Sequence, residues 1–393
     1  MGLFDRIFKK QNPMYKSALT TFSTLTAYSP VFTSWGGAVY ESELIRSAID
    51  AKARHVSKLQ VEITGAAQPR LQTSIRHQPN SWMTWSQFLY RLCTILDVHN
   101  TAFIIPIKDD YDRTIGFFPA LPTKCAILEG KNGREYLKYT FKTNEVGILP
   151  REECGILTRY QYSSDFFGES NMALAPTMDL VEVQNKGIKE AVKNSNTFRF
   201  MAQLKNFNKP EDLAREQKRF SEHSMKSEGG VLLFPNTWGD VKQIEAHPYT
   251  VEPEQVKLIN TNVFNYFGVN EKVIQNAADG DELDAFFNGS IEPFSIQLSD
   301  VLTAMLFTQR EQSEGAGVIV TANRLQYMST NSKIQMAQQL GDRGAMTRNE
   351  IRELFNLSPL TNGDGATIRG EYYILNVDGT ITKKEGNDNA SEE

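Results

Sequence analysis

The sequence of 393 residues predicts an α+β fold, in which several helices flank one antiparallel sheet. Between residues 101 and 160, short apolar runs are separated by Gly, Pro, Asn or clustered charges, as antiparallel strands usually are. These runs are AFIIPI, IGFFPAL, CAIL, YLKYTF, VGIL and CGILTRY. Before and after this region the apolar residues recur at helical spacing, so strands and helices are segregated along the chain, as in the α+β class.

Two helices are predicted ahead of the sheet. The apolar stripe of the first consists of Ile45, Ile49, Val56 and Leu59. The second follows a turn at Pro79 and Asn80 and begins with a capping box of Thr84 and Gln87. Its apolar stripe consists of Phe88, Leu92, Ile95 and Leu96.

After the sheet, a pair of helices encloses an insertion. The apolar positions of the first are Val181, Ile188, Ala191 and Phe198. The second is predicted to begin near Pro253, because proline suits a first helical turn, and to end at Gly268. Between them, a charged segment and the runs VLLF and VKQIEA predict a small α/β unit at about 203–249.

The last third of the chain is predicted to be mainly helical. Its longest apolar seam consists of Phe287, Ile291, Phe294, Leu298, Val301 and Met305. Pro293 lies within this seam, so a kink or a helix start is expected there. A strand is expected at GVIVTA, a helix at about 331–340, and a further helix with a capping box of Thr347 and Glu350. The tail KKEGNDNASEE is polar and is expected to be disordered.

Composition excludes several classes of protein. The net charge is −5 and the pI is about 5.7, so the chain lacks a global basic surface for nucleic acid. No apolar run approaches the roughly 18 residues of a membrane helix, and no membrane partner is expected. The three cysteines, Cys93, Cys125 and Cys154, form no CxxC pair, which argues against a zinc site or a disulfide framework. No metal or cofactor is expected.

Four carboxylates within six positions are the most unusual feature of the sequence. They lie in NAADGDELDAFFNG and are Asp279, Asp281, Glu282 and Asp284. An EF-hand loop does not fit, because Leu283 would occupy its fifth ligand position. Acid–base catalysis requires two carboxyl groups held in different environments on rigid elements, and this segment is a poor frame for that. The simplest interpretation from the residues alone is a solvated loop between helices.

Several segments, read in order, resemble the phage portal proteins of the HK97 type. HQPNSWMTWSQFLYRLCTILDVHNTAFI resembles the family's stretch PNxxMTWxxF followed by GNAYI, and GES at 168–170 stands where the family has Gly-x-Ser before its long helix. FNYFGVNEKVI and GAMTRNEIRELFNLSPL resemble two further family segments, and MGLFDRIF is a common beginning. The resemblance covers roughly residues 1–360. Departures occur at Val98–Thr101, at Asn270 in place of a proline, and at Asn356 in place of a glycine.

This resemblance implies a domain order. Residues 1–168 are expected to form the N-terminal wing, 169–202 the first stem helix, 203–250 the clip and 251–268 the second stem helix. Residues 269–286 are expected to form a tunnel loop, 287–329 a long kinked wing helix and a strand, and 330–375 a helical crown-like region, before a disordered tail at 376–393.

The resemblance also implies a function. Portal subunits form a ring of about twelve at one capsid vertex, through which double-stranded DNA is packaged and ejected without sequence recognition. The implied partners are the large terminase, the major capsid protein and a head-tail adaptor, and the implied location is the virion, with assembly in the host cytoplasm. The chain is then not an enzyme.

The acidic positions acquire a role in such a channel. Carboxylates that project into it repel phosphates, whereas every lysine or arginine contact would have to be broken at each step of the DNA. We therefore expect Asp279, Asp281, Glu282 and Asp284 in or beside the tunnel loop, with Gln275 and Asn276 as weak phosphate contacts. The basic stem positions are expected to face the lumen, a neighbouring subunit or simply water, and are Lys186, Lys189, Lys193 and Arg199.

Two other functions compete with this interpretation. The acidic cluster could be the Mg²⁺ site of a metal-dependent DNA-processing enzyme. Alternatively, the chain could be a non-viral structural adaptor built of helical and sheet parts.

Overall fold

The computed structural model describes residues 42–65, 77–109, 111–130, 133–195, 253–322, 330–355 and 357–368, the strands at 23–28, 199–204, 238–244, 373–375 and 381–383, and a few isolated positions. Outside the described residues lie the MGLFDRIF start, Phe198, the VLLF run and most of the charged segment of the expected clip, Asn356 and the chain after 383.

Helices and strands alternate in blocks along the chain. The helices are α1 (Glu43–Val56), α2 (Trp85–His99), α3 (Ala175–Ser195), α4 (Pro253–Phe267), α5 (Glu271–Ile274), α6 (Gly280–Phe286), α7 (Glu292–Leu306), α8 (Gln309–Ser313), α9 (Thr330–Asp342) and α10 (Arg348–Leu354). The strands are β1 (Ser23–Tyr28), β2 (Gln60–Thr64), β3 (Thr101–Lys108), β4 (Thr114–Ala120), β5 (Lys124–Glu129), β6 (Glu135–Thr140), β7 (Val146–Pro150), β8 (Gly155–Thr158), β9 (Arg199–Leu204), β10 (Trp238–Ile244), β11 (Gly317–Thr321), β12 (Arg343–Thr347), β13 (Ala366–Ile368), β14 (Tyr373–Leu375) and β15 (Ile381–Lys383).

Every strand pairing of the described residues is antiparallel, which confirms the predicted α+β class. The six apolar runs between 101 and 160 are the six strands β3 to β8. They divide between a four-stranded sheet in the order β1-β5-β6-β7 and a three-stranded sheet in the order β4-β3-β8. A buried aromatic and aliphatic cluster fills the space between these strands, including Phe103, Ile127, Leu137 and Tyr139.

The two predicted helices ahead of the sheet are confirmed as α1 and α2. Thr84 and Gln87 form the expected capping box: the Thr84 hydroxyl accepts from the Gln87 amide, and the Gln87 side chain accepts from the Thr84 amide at 2.9 Å. Trp85 is buried beside them and donates its ring N–H to the Leu59 carbonyl at 3.0 Å. This bond ties the start of α2 to Leu59, three residues after the end of α1.

The Pro79–Asn80 turn is built into the edge of the sheet. Asn80 donates its amide to the Phe117 carbonyl at 2.9 Å, and the Phe117 amide donates to the Pro79 carbonyl at 2.7 Å. The same Asn80 side chain accepts from the Trp82 amide at 2.9 Å. A side chain that donates to a strand and caps its own turn explains why Pro-Asn precedes this helix.

Two compact units divide the chain, residues 1–175 with 260–393, and residues 176–259. In the second unit α3 ends at Ser195, whereas the first stem helix was expected to continue to 202, and Arg199 begins strand β9. The residues that end α3 and follow it, Asn194, Ser195, Asn196 and Thr197, are weak helix formers, which accounts for the earlier end. Strand β9 pairs with β10.

The long seam around Pro293 contains the helix start that was one of the two expected alternatives. A single π-helical turn, Phe287–Ile291, precedes α7, and Pro293 lies in the first turn of α7. Proline has no amide hydrogen to donate to the carbonyl four residues earlier, so the hydrogen-bond pattern of the helix changes at this point.

The C-terminal capping box is confirmed as well. The Thr347 hydroxyl accepts from the Glu350 amide at 3.2 Å and the Thr347 amide donates to the Glu350 carboxylate at 2.7 Å. Asn349, one residue inside α10, accepts from the Leu360 amide at 2.8 Å and donates to Asp364 at 2.7 Å. Its side chain therefore folds the segment after α10 back onto the start of the helix.

Gly168, the first residue of GES, lies where two strands and a helix end meet. A Cβ atom at this position would lie 2.0 Å from the Asn100 carbonyl oxygen and 2.2 Å from that of Arg159. The Gly168 amide also donates to the Thr101 hydroxyl at 2.9 Å. Only glycine lets the chain pass this close to two backbone carbonyls.

We predict that Gly168→Ala lowers the free energy of unfolding by about 2 kcal/mol or more, because the methyl group must displace backbone rather than a flexible side chain. Gly289→Ala is the control, since nothing lies within 4 Å of a Cβ atom there. Urea unfolding followed by circular dichroism measures both variants. Equal stability of the two variants would contradict the close approach at Gly168.

Candidate functional site

The acidic segment, residues 275–284, runs from the end of one short helix, α5, into the next, α6. Asn270 begins the first of these, α5, and its side chain accepts from the Val273 amide at 2.8 Å. An asparagine in place of the family's proline thus serves as an N-cap. Gln275 ends α5 and donates to Glu271 at 3.0 Å, and Asn276 follows with a left-handed backbone, φ 57°. Both Gln275 and Asn276 are exposed.

The four carboxylates do not lie on an irregular loop, so that interpretation of the residues is wrong. Asp279 is the N-cap of α6, and its side chain accepts from the Glu282 amide at 2.9 Å. The Glu282 carboxylate accepts in return from the Asp279 amide at 3.2 Å, which completes a capping box. Acidic groups at a helix N-terminus interact favourably with the helix dipole, so the charges that the sequence concentrates here also start the helix.

The four acids differ in their surroundings. Glu282 is half-buried and pairs with Lys272, and this hydrogen bond raises the pKa of Lys272. Asp279, Asp281 and Asp284 are exposed. Asp281 and Asp284 have no role in the capping box, so their negative charge is available to solvent or to a partner.

The segment between α4 and α7, residues 268–291, is anchored at its base and on its inner side. At its base the Ser290 hydroxyl donates to the Gly268 carbonyl, and Gly268 has a left-handed backbone with φ 70°. On its inner side Phe286 packs edge-on against His55 of α1, with ring centroids 5.3 Å apart. Burial lowers the pKa of His55 to about 4, so this histidine is neutral at pH 7. The acidic segment is consequently a fixed structure on α1.

The basic positions predicted for the stem are not gathered into one site. Lys186 and Lys189 are exposed on α3, and Lys186 pairs with Glu182 one turn earlier at 2.6 Å, a contact that raises the pKa of Lys186. Lys193 belongs to the same helix, and Arg199 belongs to β9. Among the described residues, no three His, Cys, Asp or Glu side chains are grouped so that they could hold a metal ion. None of the described helices is long and apolar enough to cross a membrane.

A buried charge cluster, which the sequence interpretation missed, lies at the end of α2. The Asp97 carboxylate is fully buried and accepts from Lys52 of α1 at 3.0 Å and from Arg159, just after β8, at 2.8 Å. The Cys93 thiol lies 3.8 Å from its second oxygen. Burial, followed by the nearby Asp97 charge, raises the pKa of the Cys93 thiol, which therefore stays protonated.

Arg159 extends this cluster to the last turn of α4. It donates to the Tyr266 carbonyl, and its guanidinium lies 4.6 Å from the centroid of the Tyr160 ring and 5.5 Å from that of Phe267. The Tyr160 hydroxyl donates to the same Tyr266 carbonyl at 2.7 Å. A cation at a helix C-terminus meets the negative end of the helix dipole, so Arg159 is stabilised from both sides.

Asn171, the residue after the GES segment, joins the end of α2 to the end of α4. Its amide donates to the Val98 carbonyl at 2.8 Å, and its oxygen accepts from Asn100 at 2.7 Å and from the Tyr266 hydroxyl at 2.6 Å. Three segments that are far apart in sequence are therefore joined at one buried point. We call this group, Lys52, Asp97, Asn100, Arg159, Asn171 and Tyr266, the polar junction.

One signal in the sequence could have revealed the polar junction. Lys52 stands three residues after Ile49 and four before Val56, so it occupies a position of the apolar stripe of α1. A lysine in a buried stripe requires an acidic partner. The identity of that partner follows only from the packing of α2, which is buried on most of its surface.

Comparison with a model of the phage portal protein family gives a match over residues 43–356. Because the match spans most of the chain, the fold is that of a portal protein, the connector class of phage heads. The chain belongs to the phage portal protein family. This family is structural in function. Comparison with curated protein sequences gives no match.

Two solved structures from gene transfer agent particles share the fold at low sequence identity. One is from the virion of a native gene transfer agent particle, with 16% identity, a TM-score of 0.59 and coverage of 85% of this chain and 97% of that one. Another is from the neck of the native gene transfer agent particle computed with C12 symmetry, with 14% identity, a TM-score of 0.59 and coverage of 91% and 100%. An HK97 family phage portal protein from Corynebacterium diphtheriae matches at 11% identity and a TM-score of 0.48, covering 72% and 93%.

We predict that Asp97→Asn costs about 3–5 kcal/mol of stability, because it leaves two nearly buried cations without their counter-charge. The side chains of Lys52 and Arg159 are only 8% and 17% exposed. Asp112→Asn removes an ion pair to Lys108 from a carboxylate that is 83% exposed, and we expect it to cost less than about 1 kcal/mol. Chemical denaturation compares the two; similar losses would show that the Asp97 pairs contribute no more than a surface contact.

His99, two residues after Asp97, predicts that the free energy of unfolding depends on pH. Burial lowers the pKa of His99 from 6.5 to about 4, so below pH 6.5 the unfolded chain binds a proton that the folded chain does not. Stability contributed by neutral His99 is therefore complete above pH 6.5 and falls by up to about 3 kcal/mol as the pH drops toward 4. We expect His99→Gln to flatten the curve of unfolding free energy against pH in this window, and an unchanged slope would contradict the burial effect.

Proposed function

We propose that copies of this chain close into a ring of about twelve, at one vertex of a capsid, and that double-stranded DNA enters and leaves through the central channel. The membership of the portal family supports this, and so does the similarity to a protein from a neck that was computed with C12 symmetry. In a ring of more than two subunits each subunit contacts its neighbours through two different faces, and such a contact forms a ring when its rotation closes.

The observation that carries the proposal is the exposed charge of the acidic segment. Residues 275–284 contain four carboxylates and no lysine or arginine. With about twelve subunits, such a segment places on the order of fifty acidic groups around the axis. Since phosphate contacts by basic residues hold DNA in place, an anionic wall leaves the duplex free to slide. At a Debye length of about 10 Å this repulsion acts only near the wall, so the segment has to approach the DNA closely.

The fixed structure of the segment suits that role. Its helix is capped by Asp279 and Glu282, the Lys272–Glu282 pair ties it to α5, and the Phe286–His55 contact packs it on α1. Because the helix is anchored, the backbone positions that carry Asp281 and Asp284 stay in place when a phosphate approaches. In this proposal Asp281 and Asp284 face the channel, and Gln275 and Asn276 make weak contacts to phosphates beside them.

The remaining partners follow from the same role. A ring that neither binds ATP nor moves DNA requires a separate motor, the large terminase, and it also contacts the major capsid protein and a head-tail adaptor. We propose that the chain is not an enzyme and that it resides in the virion after assembly in the host cytoplasm. A Mg²⁺-dependent DNA cleavage assay on the purified protein checks this, and we expect uncut DNA.

If the acidic segment lines the channel, reversing the charge of Asp281 and Asp284 changes how tightly the ring binds DNA. We expect Asp281→Lys with Asp284→Lys to bind linear double-stranded DNA at least about tenfold more tightly than the unmodified ring, because about two dozen new cations would face phosphates. This affinity should fall steeply between 50 and 200 mM salt. Asp281 and Asp284 are chosen because neither belongs to the capping box or pairs with Lys272.

A topological control separates the channel from the outer surface. A preassembled ring can be threaded by linear DNA but not by covalently closed circular DNA, so the gain should be confined to linear DNA. Asp165→Lys with Asp300→Lys adds the same charge at exposed positions outside the segment, and we expect it to treat both DNA forms alike. An equal gain on circular DNA for the Asp281/Asp284 variant would place the acidic segment outside the channel.

A further inference from the structure

Arg91, in the middle of α2, is a half-buried cation without a counter-charge. Its guanidinium lies 5.3 Å from the centroid of the Phe118 ring, and among the described residues it makes no ion pair or hydrogen bond. Burial lowers the pKa of Arg91. The two shielded cations of the polar junction, Lys52 and Arg159, instead share the Asp97 carboxylate. A guanidinium that has already lost part of its water shell pairs more strongly with an approaching carboxylate than a fully solvated one does.

Phe118 joins Arg91 to an exposed tryptophan. Phe118 is only 7% exposed, and Trp82 packs edge-on against it, with ring centroids 6.3 Å apart. Trp82 itself keeps 43% of its surface exposed. A guanidinium and an indole therefore border the same buried ring. Trp and Arg, together with Tyr, are the side chains most enriched among the residues that dominate protein–protein binding.

The backbone beneath these side chains is fixed. The Asn80 side chain donates to the Phe117 carbonyl and accepts from the Trp82 amide, each at 2.9 Å. Arg91 lies on α2, whose start is held by the capping box at Thr84. A surface that is ordered before it binds loses less conformational entropy when a partner arrives.

The segments that supply these side chains are free of acidic residues. Residues 77–96 and 113–128 contain three Lys or Arg side chains and no Asp or Glu, although the net charge of the chain is −5. The three are Arg91, Arg113 and Lys124. Arg113 already pairs with Asp109 at 2.8 Å. The local charge is positive, so the complementary partner is acidic.

We propose that Arg91, Trp82 and Phe118 form a docking surface for an acidic segment of another protein, and we call it the Arg91 surface. A carboxylate of that segment accepts from the Arg91 guanidinium, whose planar fork donates two parallel hydrogen bonds to such a group. An apolar side chain next to the carboxylate packs on the exposed part of Trp82. All three residues belong to one compact unit of a single chain, so the surface exists whether or not the chain forms a ring.

The composition of the Arg91 surface favours a peptide over nucleic acid. Phosphate backbones are held by several Lys or Arg side chains, each of which neutralises about one phosphate. The Arg91 surface offers one guanidinium and, beside it, an apolar ring. One carboxylate with one apolar neighbour is the complementary group.

Four fluorescein-labelled peptides test the Arg91 surface. Each contains two glutamates and two leucines, with zero, one, two or three glycines between the acidic and the apolar pair. We expect at least one of them to bind the full chain saturably, as measured by fluorescence anisotropy. The same peptide with glutamine in place of glutamate should bind at least about tenfold more weakly, because hydrogen bonds to a charged group are lost.

Matched variants locate the binding. Arg91→Gln and Trp82→Ala should each weaken the peptide by about tenfold or more. Arg113→Gln is the control, since it removes a nearby arginine that is already paired, and we expect unchanged affinity. Urea unfolding supplies a second measurement: because Arg91 has no acceptor among the described residues, Arg91→Gln should keep the urea midpoint of the unmodified protein.

Three results would overturn the Arg91 surface and leave the proposed channel untouched. They are the failure of all four peptides to bind, equal affinity of the unmodified protein and Arg91→Gln, and a lower urea midpoint for Arg91→Gln, which would make Arg91 a structural residue. Displacement of the peptide by a single-stranded oligonucleotide would assign the surface to nucleic acid instead. Release of the peptide when rings form would assign it to a second copy of this chain.

Discussion

The buried carboxylate of Asp97 is the interaction on which the first unit depends. It accepts from a lysine of α1 and an arginine that follows β8, and all three charges are shielded from water. One carboxylate cannot neutralise two cations, and the second positive charge is balanced where Arg159 reaches the Tyr266 carbonyl at the C-terminal end of α4. A cluster of this kind adds little net free energy compared with an apolar core, yet it tolerates few other arrangements of its partners. Its contribution is therefore the placement of α1, α2, β8 and the end of α4 around a single point.

Most of the fold could be predicted from local sequence because the relevant signals are local. The six apolar runs became strands, and the capping boxes at Thr84 and Thr347 formed, because alternation and capping involve residues only a few positions apart. The end of α3 was misplaced by several residues because apolar spacing continued to Phe198 beyond a run of weak helix formers. Local sequence did not indicate which strand belongs to which sheet, since β1 pairs with β5 across about a hundred residues.

The sequence predicted which residues make up the acidic segment, but it did not predict their helical conformation. The clustered acids identified the segment, and the Asp279-x-x-Glu282 pattern that begins α6 was present in the sequence, although Gly280 and the short length hid the helix. The polar junction was missed for a different reason. Its members come from positions 52 to 266, and only Lys52 breaks an apolar pattern visibly. Long-range partners of a buried charge depend on tertiary packing, which spacing along the chain does not encode.

The same chemical group serves two opposite purposes in this chain, and the difference lies in solvation. At Asp97 water is excluded, so the carboxylate requires cations within hydrogen-bond distance and holds elements together. At Asp281 and Asp284 water is present, so the charges need no partner within the subunit and can act on whatever approaches. An exposed charge keeps a fixed position toward a partner only if its helix is held in place, and α6 is held by its own capping box and by Phe286 on α1. Lys52 of α1 belongs to the polar junction, so the polar junction positions α1. The anionic surface proposed for the channel packs on this same helix.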